Sequence, residues 1–101
     1  MNLKFSIVAE REIEAAADYY EKQEAGVGLR FVLELERAIR FILQFPNAGA
    51  PISQRARRCV LRRFPYNVIY SVQQDTVTIV TVVHQRRDPE GWRTLLKELG
   101  L

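Results

Sequence analysis

Apolar and polar positions alternate over residues 2–8, NLKFSIV, with Leu3, Phe5 and Ile7 on one side. Such alternation predicts a half-buried strand. The period then changes. Over residues 9–24, Ile13, Ala16, Ala17 and Tyr20 fall at i, i+3, i+4 and i+7, one stripe of a helix. A second helix is predicted over residues 27–45, with Val32, Leu35, Ile39, Ile42 and Leu43 on a broad apolar face and Pro46 ending it. Gly26 and Gly28 break the helical pattern between the two, and so short a break implies an antiparallel helical hairpin. Asp18 with Lys22, and Glu36 with Arg40, are spaced for i,i+4 pairing on the wet faces.

Residues 46–57, PNAGAPISQRAR, read as a loop because they hold two prolines and a glycine. Three strands are predicted after it, at 58–64, 66–73 and 76–84. Every residue from Thr76 to Val83 is β-branched, which favours a strand. Its apolar residues point both ways, so it belongs inside the sheet. Asp88 is placed to cap a last helix that has Pro89 in its first turn and runs to about Leu99. The order is β-α-α-β-β-β-α, an α+β fold with a helical hairpin packed on one face of a small, mainly antiparallel sheet.

The 101 residues suit one domain, 1–101, and 48% apolar content is enough for a core. No apolar run approaches the ~18 residues of a membrane helix. The apolar stretch before Glu10 is too short for a secretory signal. Cys59 is the only cysteine, so no internal disulfide or cysteine-based zinc site is expected, and the expected compartment is a reducing cytoplasm. Charge is unevenly spread. Residues 1–36 carry net −4, residues 37–74 carry seven arginines and no acid, and residues 75–101 are neutral. A purely basic middle segment points to an anionic partner, or else to a solvated face that balances the acidic helices.

No phosphate-binding glycine loop, metal cluster or Ser/His/Asp spacing is present, and no metal or cofactor is expected. His84, the single histidine, closes a strand, where a structural hydrogen bond is the commoner role. Cys59 fits a small core residue, because its neighbour Arg58 points to the other strand face. Trp92 suits either packing or an exposed anchor. Tyr66 and Tyr70 alternate on one strand face and read as core. What remains is arginine. Alternation puts Arg58 and Arg62 on one face of their strand and Arg63 on the other, while Arg86 and Arg87 follow the last strand toward the same rim. Guanidinium groups held on a sheet can clamp phosphates or pair with carboxylates of a protein, and the residues alone leave both open.

The stretch RRFPYNVIYSVQQDTVTIVTVVHQRRDPEGW, residues 62–92, resembles the RelE/ParE superfamily of bacterial toxins, as do the early helical hairpin and the ILQFPNAGAP that precedes the basic loop. These are the toxic halves of type II toxin–antitoxin modules, also called plasmid stabilization proteins. The resemblance covers almost the whole chain and implies a cognate antitoxin as partner. RelE-like members cut messenger RNA on the ribosome with basic residues and a tyrosine or histidine as proton carrier. Here Asn67 follows Tyr66 where that pattern has arginine, and Trp92 falls on its tyrosine, while Arg86 is retained. Indole cannot do acid–base work. The VHQRRD ending is similar to ParE-like members, which poison DNA gyrase by binding. The resemblance therefore implies a gyrase inhibitor with no catalytic residue and with Arg58, Arg62, Arg63, Arg86, Arg87 and Trp92 as its target-binding set. The alternatives are a ribosome-dependent ribonuclease that uses His84, and a non-toxic basic module that binds nucleic acid.

Overall fold

Ser6 ends the first strand. Its hydroxyl accepts from the Ala9 N–H at 3.0 Å and donates to the Val80 carbonyl at 2.6 Å, so it caps a helix and ties that helix to the sheet. In the computed structural model, which describes residues 1–101, β1 therefore spans Asn2–Phe5 and α1 spans Ile7–Gln23. The strand expected over 2–8 is too long. Ile7 is 66% exposed on the first helical turn, and all four β1 residues are exposed at the sheet's edge.

The hairpin is completed by α2 (Val27–Gln44). Its two glycines have different tasks. Gly26, at φ 92°, makes the left-handed turn. Gly28 lies inside α2, where a Cβ would come within 2.6 Å of the Ala17 carbonyl oxygen, so it permits the close approach of the helices and does not break one. The Glu21 carboxylate accepts from both glycine N–H groups at 3.0–3.1 Å. Neither expected i,i+4 ion pair forms; the one ion pair is Glu34–Arg37 at i,i+3.

The remaining elements are β2 (Ala50–Pro51), β3 (Ala56–Val60), β4 (Tyr66–Gln73), β5 (Thr76–His84) and α3 (Pro89–Glu98). The sheet order is β1-β5-β4-β3-β2, parallel only between β1 and β5. β4, β5 and the Asp88 cap of α3 fall where the pattern predicts them, with Asp88 Oδ1 accepting from the Glu90 N–H at 3.0 Å. β2 lies within the expected loop. β3 ends at Val60 instead of 64, so Arg62 and Arg63 sit in a turn and share no strand face with Arg58.

Both sheet faces are covered. Phe31, Leu35, Ile39 and Ile42 of α2 pack on Val68, Tyr70, Val77, Ile79 and Val82, with Ile13 and Tyr20 half-buried beside them. On the other face α3 sets Trp92 and Leu96 over Ala56, Ile69, Val80 and Val83. A bulge between Ile69 and Tyr70 shifts the phase of β5, which is how Ile79 and Val82 come to share the hairpin side.

Where β1 stops, Glu12 of α1 serves the open edge of β5. Its Oε1 accepts from Thr81 Oγ1 at 2.7 Å and from the Val82 N–H at 2.9 Å. Glu12→Ala strands both donors and is expected to cost about 1.5–3 kcal/mol in urea denaturation. An unchanged midpoint would mean water replaces the carboxylate there.

Tyr70 anchors the segment before β2. Its hydroxyl donates to the Pro46 carbonyl at 2.8 Å and accepts from the Gly49 N–H at 3.1 Å. Arg57 donates to the Asn47 and Gly49 carbonyls at 2.9 and 2.8 Å, so this arginine is structural. A Cβ on Gly49 would collide with the Tyr70 hydroxyl. Burial raises the pKa of Tyr70, and likewise of Tyr20 and Tyr66, above the ordinary 10.0. The folded state thus holds protons that the unfolded chain releases. The resulting stability is complete below pH 10 and is lost as pH rises through the folded values. The tyrosines should therefore add a fall in unfolding free energy above about pH 10, and that fall should be shallower in Tyr70→Phe.

Candidate functional site: a basic sheet end and an arginine-rimmed groove

Two turns meet at one end of the sheet, residues 61–65 before β4 and residues 85–88 after β5. The Gln85 N–H donates to the Pro65 carbonyl at 2.7 Å and joins them. Arg62, Arg63, Arg86 and Arg87 are exposed on these turns. The second turn is organised by His84. Its Nδ1 accepts from the Arg86 N–H at 3.0 Å, and its carbonyl accepts from the Arg87 N–H at 2.9 Å. A neutral ring therefore carries its proton on Nε2. That ring lies against Tyr66, centroids 5.2 Å apart, beside a cavity of about 270 Å³ bordered by Glu12, Tyr19 and Arg87.

The other expected site residues lie elsewhere. Arg58 is exposed in mid-strand opposite Ile69, away from the two turns. Trp92 is 8% exposed in the core beneath α3, with the Arg93 guanidinium 5.3 Å from its ring. Of packing and anchor, the structure gives it packing, because the covered indole has too little free surface to grip a partner. Cys59 is half-buried on the hairpin side, and burial pushes its thiol pKa up, away from reactivity. No three His, Cys, Asp or Glu side chains cluster as metal ligands. No helix is long and apolar enough to cross a membrane.

Arg62 and Arg63 border a surface that the sequence reading missed. Leu29, Leu33 and Phe41 on α2 and Phe45 at its C-cap are large, exposed apolar residues, spaced by fours with Arg37 in the middle. Between α2 and β3 lies a cavity of about 320 Å³ lined by Glu34, Arg37, Ala38, Phe41, Cys59, Val60, Leu61 and Arg62. Next to it, one of about 580 Å³ is lined by Val27, Arg30, Leu33, Glu34, Arg37, Arg63 and Phe64. Together they form a groove with an apolar floor and a rim of four arginines. The four-residue repeat along α2 was the available signal, since it marks a second stripe beside the core-facing one.

A mixed five-stranded sheet with a helical hairpin on one face matches RelE/ParE-like folds. Residues 3–89 match the family described as ParE toxin of type II toxin-antitoxin system, parDE, and the chain belongs to that family. Among solved structures, it resembles one from the chromosomal ParDE toxin–antitoxin system of P. aeruginosa, with TM-score 0.73 and 22% identity over 83% of this chain and 95% of that one. The isolated E. coli RelE toxin gives TM-score 0.58 and 19% identity over 97% of both chains. A chain of the intact E. coli RelBE toxin–antitoxin complex gives TM-score 0.58 and 19% identity over 85% of this chain and 98% of that one. At these identities the structural likenesses establish the fold. No curated protein matches the chain by sequence.

Proposed function

We propose that this ParE-type toxin acts by binding, with DNA gyrase in the bacterial cytoplasm as its target, and that a cognate antitoxin neutralises it. The observation that carries the binding reading is the separation of the groups a ribonuclease would need. His84 lies on the hairpin side of the sheet with Nδ1 engaged by the Arg86 N–H. Asn67 and Trp92, which stand where the RelE-like pattern has arginine and tyrosine, are on the α3 side: Asn67 pairs with Val83 of the core that Trp92 completes. RNA cleavage needs a base for the 2′-hydroxyl and an acid for the leaving oxygen, each worth ~10²–10⁴ in rate. Arginine can stabilise the phosphorane charge but stays protonated, so it is a poor base. A rigid set of exposed arginines fits recognition of an acidic protein surface instead.

The antitoxin reading draws on the family and on the solved toxin–antitoxin assemblies among the structural neighbours. On this reading the antitoxin lays an apolar, acid-flanked helix in the groove between α2 and β3. The deciding experiment pairs supercoiling by purified gyrase with messenger RNA cleavage on ribosomes. Inhibited supercoiling without cleavage is expected. His84→Gln keeps an acceptor for the Arg86 N–H and should keep inhibition, whereas Arg86→Glu should weaken it by about tenfold or more. Codon-dependent cleavage that His84→Gln abolishes would overturn the proposal in favour of the ribonuclease. Steeply salt-dependent nucleic-acid binding without toxicity would favour the adaptor.

A further inference from the structure

Glu34 is the one acid in the wall of the groove, and it is 7% exposed. It borders both cavities, at the point where they adjoin. Its nearest cation is Arg37, one turn along α2, with Nη1 3.6 Å from Oε1, outside hydrogen-bond range, and the Arg37 side chain is 63% exposed. No protein group donates a hydrogen bond to the carboxylate. Neither oxygen is sealed off without a partner, so both keep some contact with solvent in a side chain that lines the two cavities. In the free protein the carboxylate thus keeps a small opening to water, with one exposed guanidinium near it and no hydrogen-bond donor. Within the hairpin its only polar contact is this i,i+3 ion pair, and the proposed gyrase-binding surface makes no use of it.

We infer that Glu34 is the specificity-determining residue of the groove, taking one guanidinium or ammonium group from the partner helix. This rests on the groove being the antitoxin's seat. The rim and the single acid in the wall then read opposite signs. The exposed Arg30, Arg37, Arg62 and Arg63 act through screened solvent, where their pull fades over a Debye length of about 8 Å, and they favour carboxylates along the flanks of the partner. Glu34 acts at contact, in a place that a docked helix would dry. A cation there gains a charge-assisted bond, while an apolar side chain dries the carboxylate and leaves it only the longer contact with Arg37. The fitting partner is thus an amphipathic helix with apolar side chains for the two cavities, one Arg or Lys between them, and acids outside. A helix with that order shifted by one position loses its match, so a single buried acid fixes the register.

The test is selection of binders by the purified protein from a displayed library of amphipathic helices with randomised groove-facing positions. The wild type should enrich Arg or Lys at one position between two apolar ones. Glu34→Gln should lose that enrichment and bind the selected helices at least about tenfold more weakly, while keeping the wild-type melting temperature. Glu34→Arg should enrich Asp or Glu at the same position. Arg37→Ala, which leaves Glu34 in place, should keep or sharpen the basic preference. If Glu34 merely pairs with Arg37, then Arg37→Ala and Glu34→Gln behave alike, and the inference fails. It also fails if the wild type selects no helix, or if Glu34→Gln selects the same basic residue. Toxicity is scored separately. A chain harmless in bacteria that still shows the preference overturns the toxin reading alone, and a toxic chain without it overturns this inference alone.

Discussion

Phe31→Ala is expected to remove about 3–5 kcal/mol of stability, a large part of the 5–15 kcal/mol typical of a domain. Phe31 is wholly buried where α2 meets the basic end of the sheet. Its ring lies 5.6 Å from that of Tyr20, 5.3 Å from Phe64 and 5.2 Å from Tyr66, so four aromatic side chains share one contact. Truncation removes the centre of this cluster. α1, α2 and the turn bearing Arg62 and Arg63 all rest on it, and they cannot close the gap together without moving the sheet. The urea midpoint should fall with little change in slope, because the loss lies in the native state and not in the surface exposed on unfolding. Leu33→Ala, two residues along on the outward stripe, should stay within about 0.5 kcal/mol. A loss below about 1 kcal/mol for Phe31→Ala would mean that the cluster repacks freely, contrary to the close packing of interiors.

Phe31 was absent from the predicted core, and the reason is physical. α2 is apolar around much of its circumference, and spacing alone cannot say which stripe faces the sheet. Leu35, Ile39 and Ile42 were legible because they recur on one side. Leu29, Leu33, Phe41 and Phe45 recur almost as well and face outward. An exposed stripe of that size needs an explanation in binding, and periodicity carries no label for it. β4 and β5 are legible to the residue because turn residues bound both and β5 is an unbroken β-branched run, and the helix cap is legible because Asp88 and Pro89 each favour that position for a local reason. At the N-terminus two signals compete. Ile7 continues the alternation of Leu3 and Phe5, but the Ser6 hydroxyl takes the Ala9 N–H, and the cap prevails. The same limit governed the arginines. Leu61 to Phe64 extends the strand pattern of β3, yet the chain turns after Val60 so that β4 can begin at Tyr66. That turn carries Arg62 and Arg63 off the sheet and onto the rim of the groove, beside Arg30 and Arg37 of α2. A juxtaposition made by tertiary structure leaves no trace in local sequence.

Phe41→Asp should separate neutralisation from toxicity. Phe41 is 48% exposed, its ring is 5.3 Å from that of Phe45, and it borders the smaller groove cavity with Val60. Nothing in the core depends on it, so the variant should fold with stability within about 0.5 kcal/mol of the wild type. An aromatic ring half-exposed beside a cavity is the kind of anchor that carries a large share of an interface's energy, about 2–4 kcal/mol or 30- to 10³-fold in affinity. Aspartate removes the ring and also turns a carboxylate toward the acidic flanks proposed for the antitoxin. Titration calorimetry with the cognate antitoxin should register the loss, and co-expression should no longer restore growth. The turn bearing Arg86 and Arg87, on which the proposed gyrase contact is tested, is left untouched, so growth arrest by the variant alone should persist. Undiminished rescue would mean that the antitoxin uses another face. A folded variant that no longer arrests growth would make the groove part of the target surface, and the arginines at its rim would then contact gyrase and antitoxin in turn.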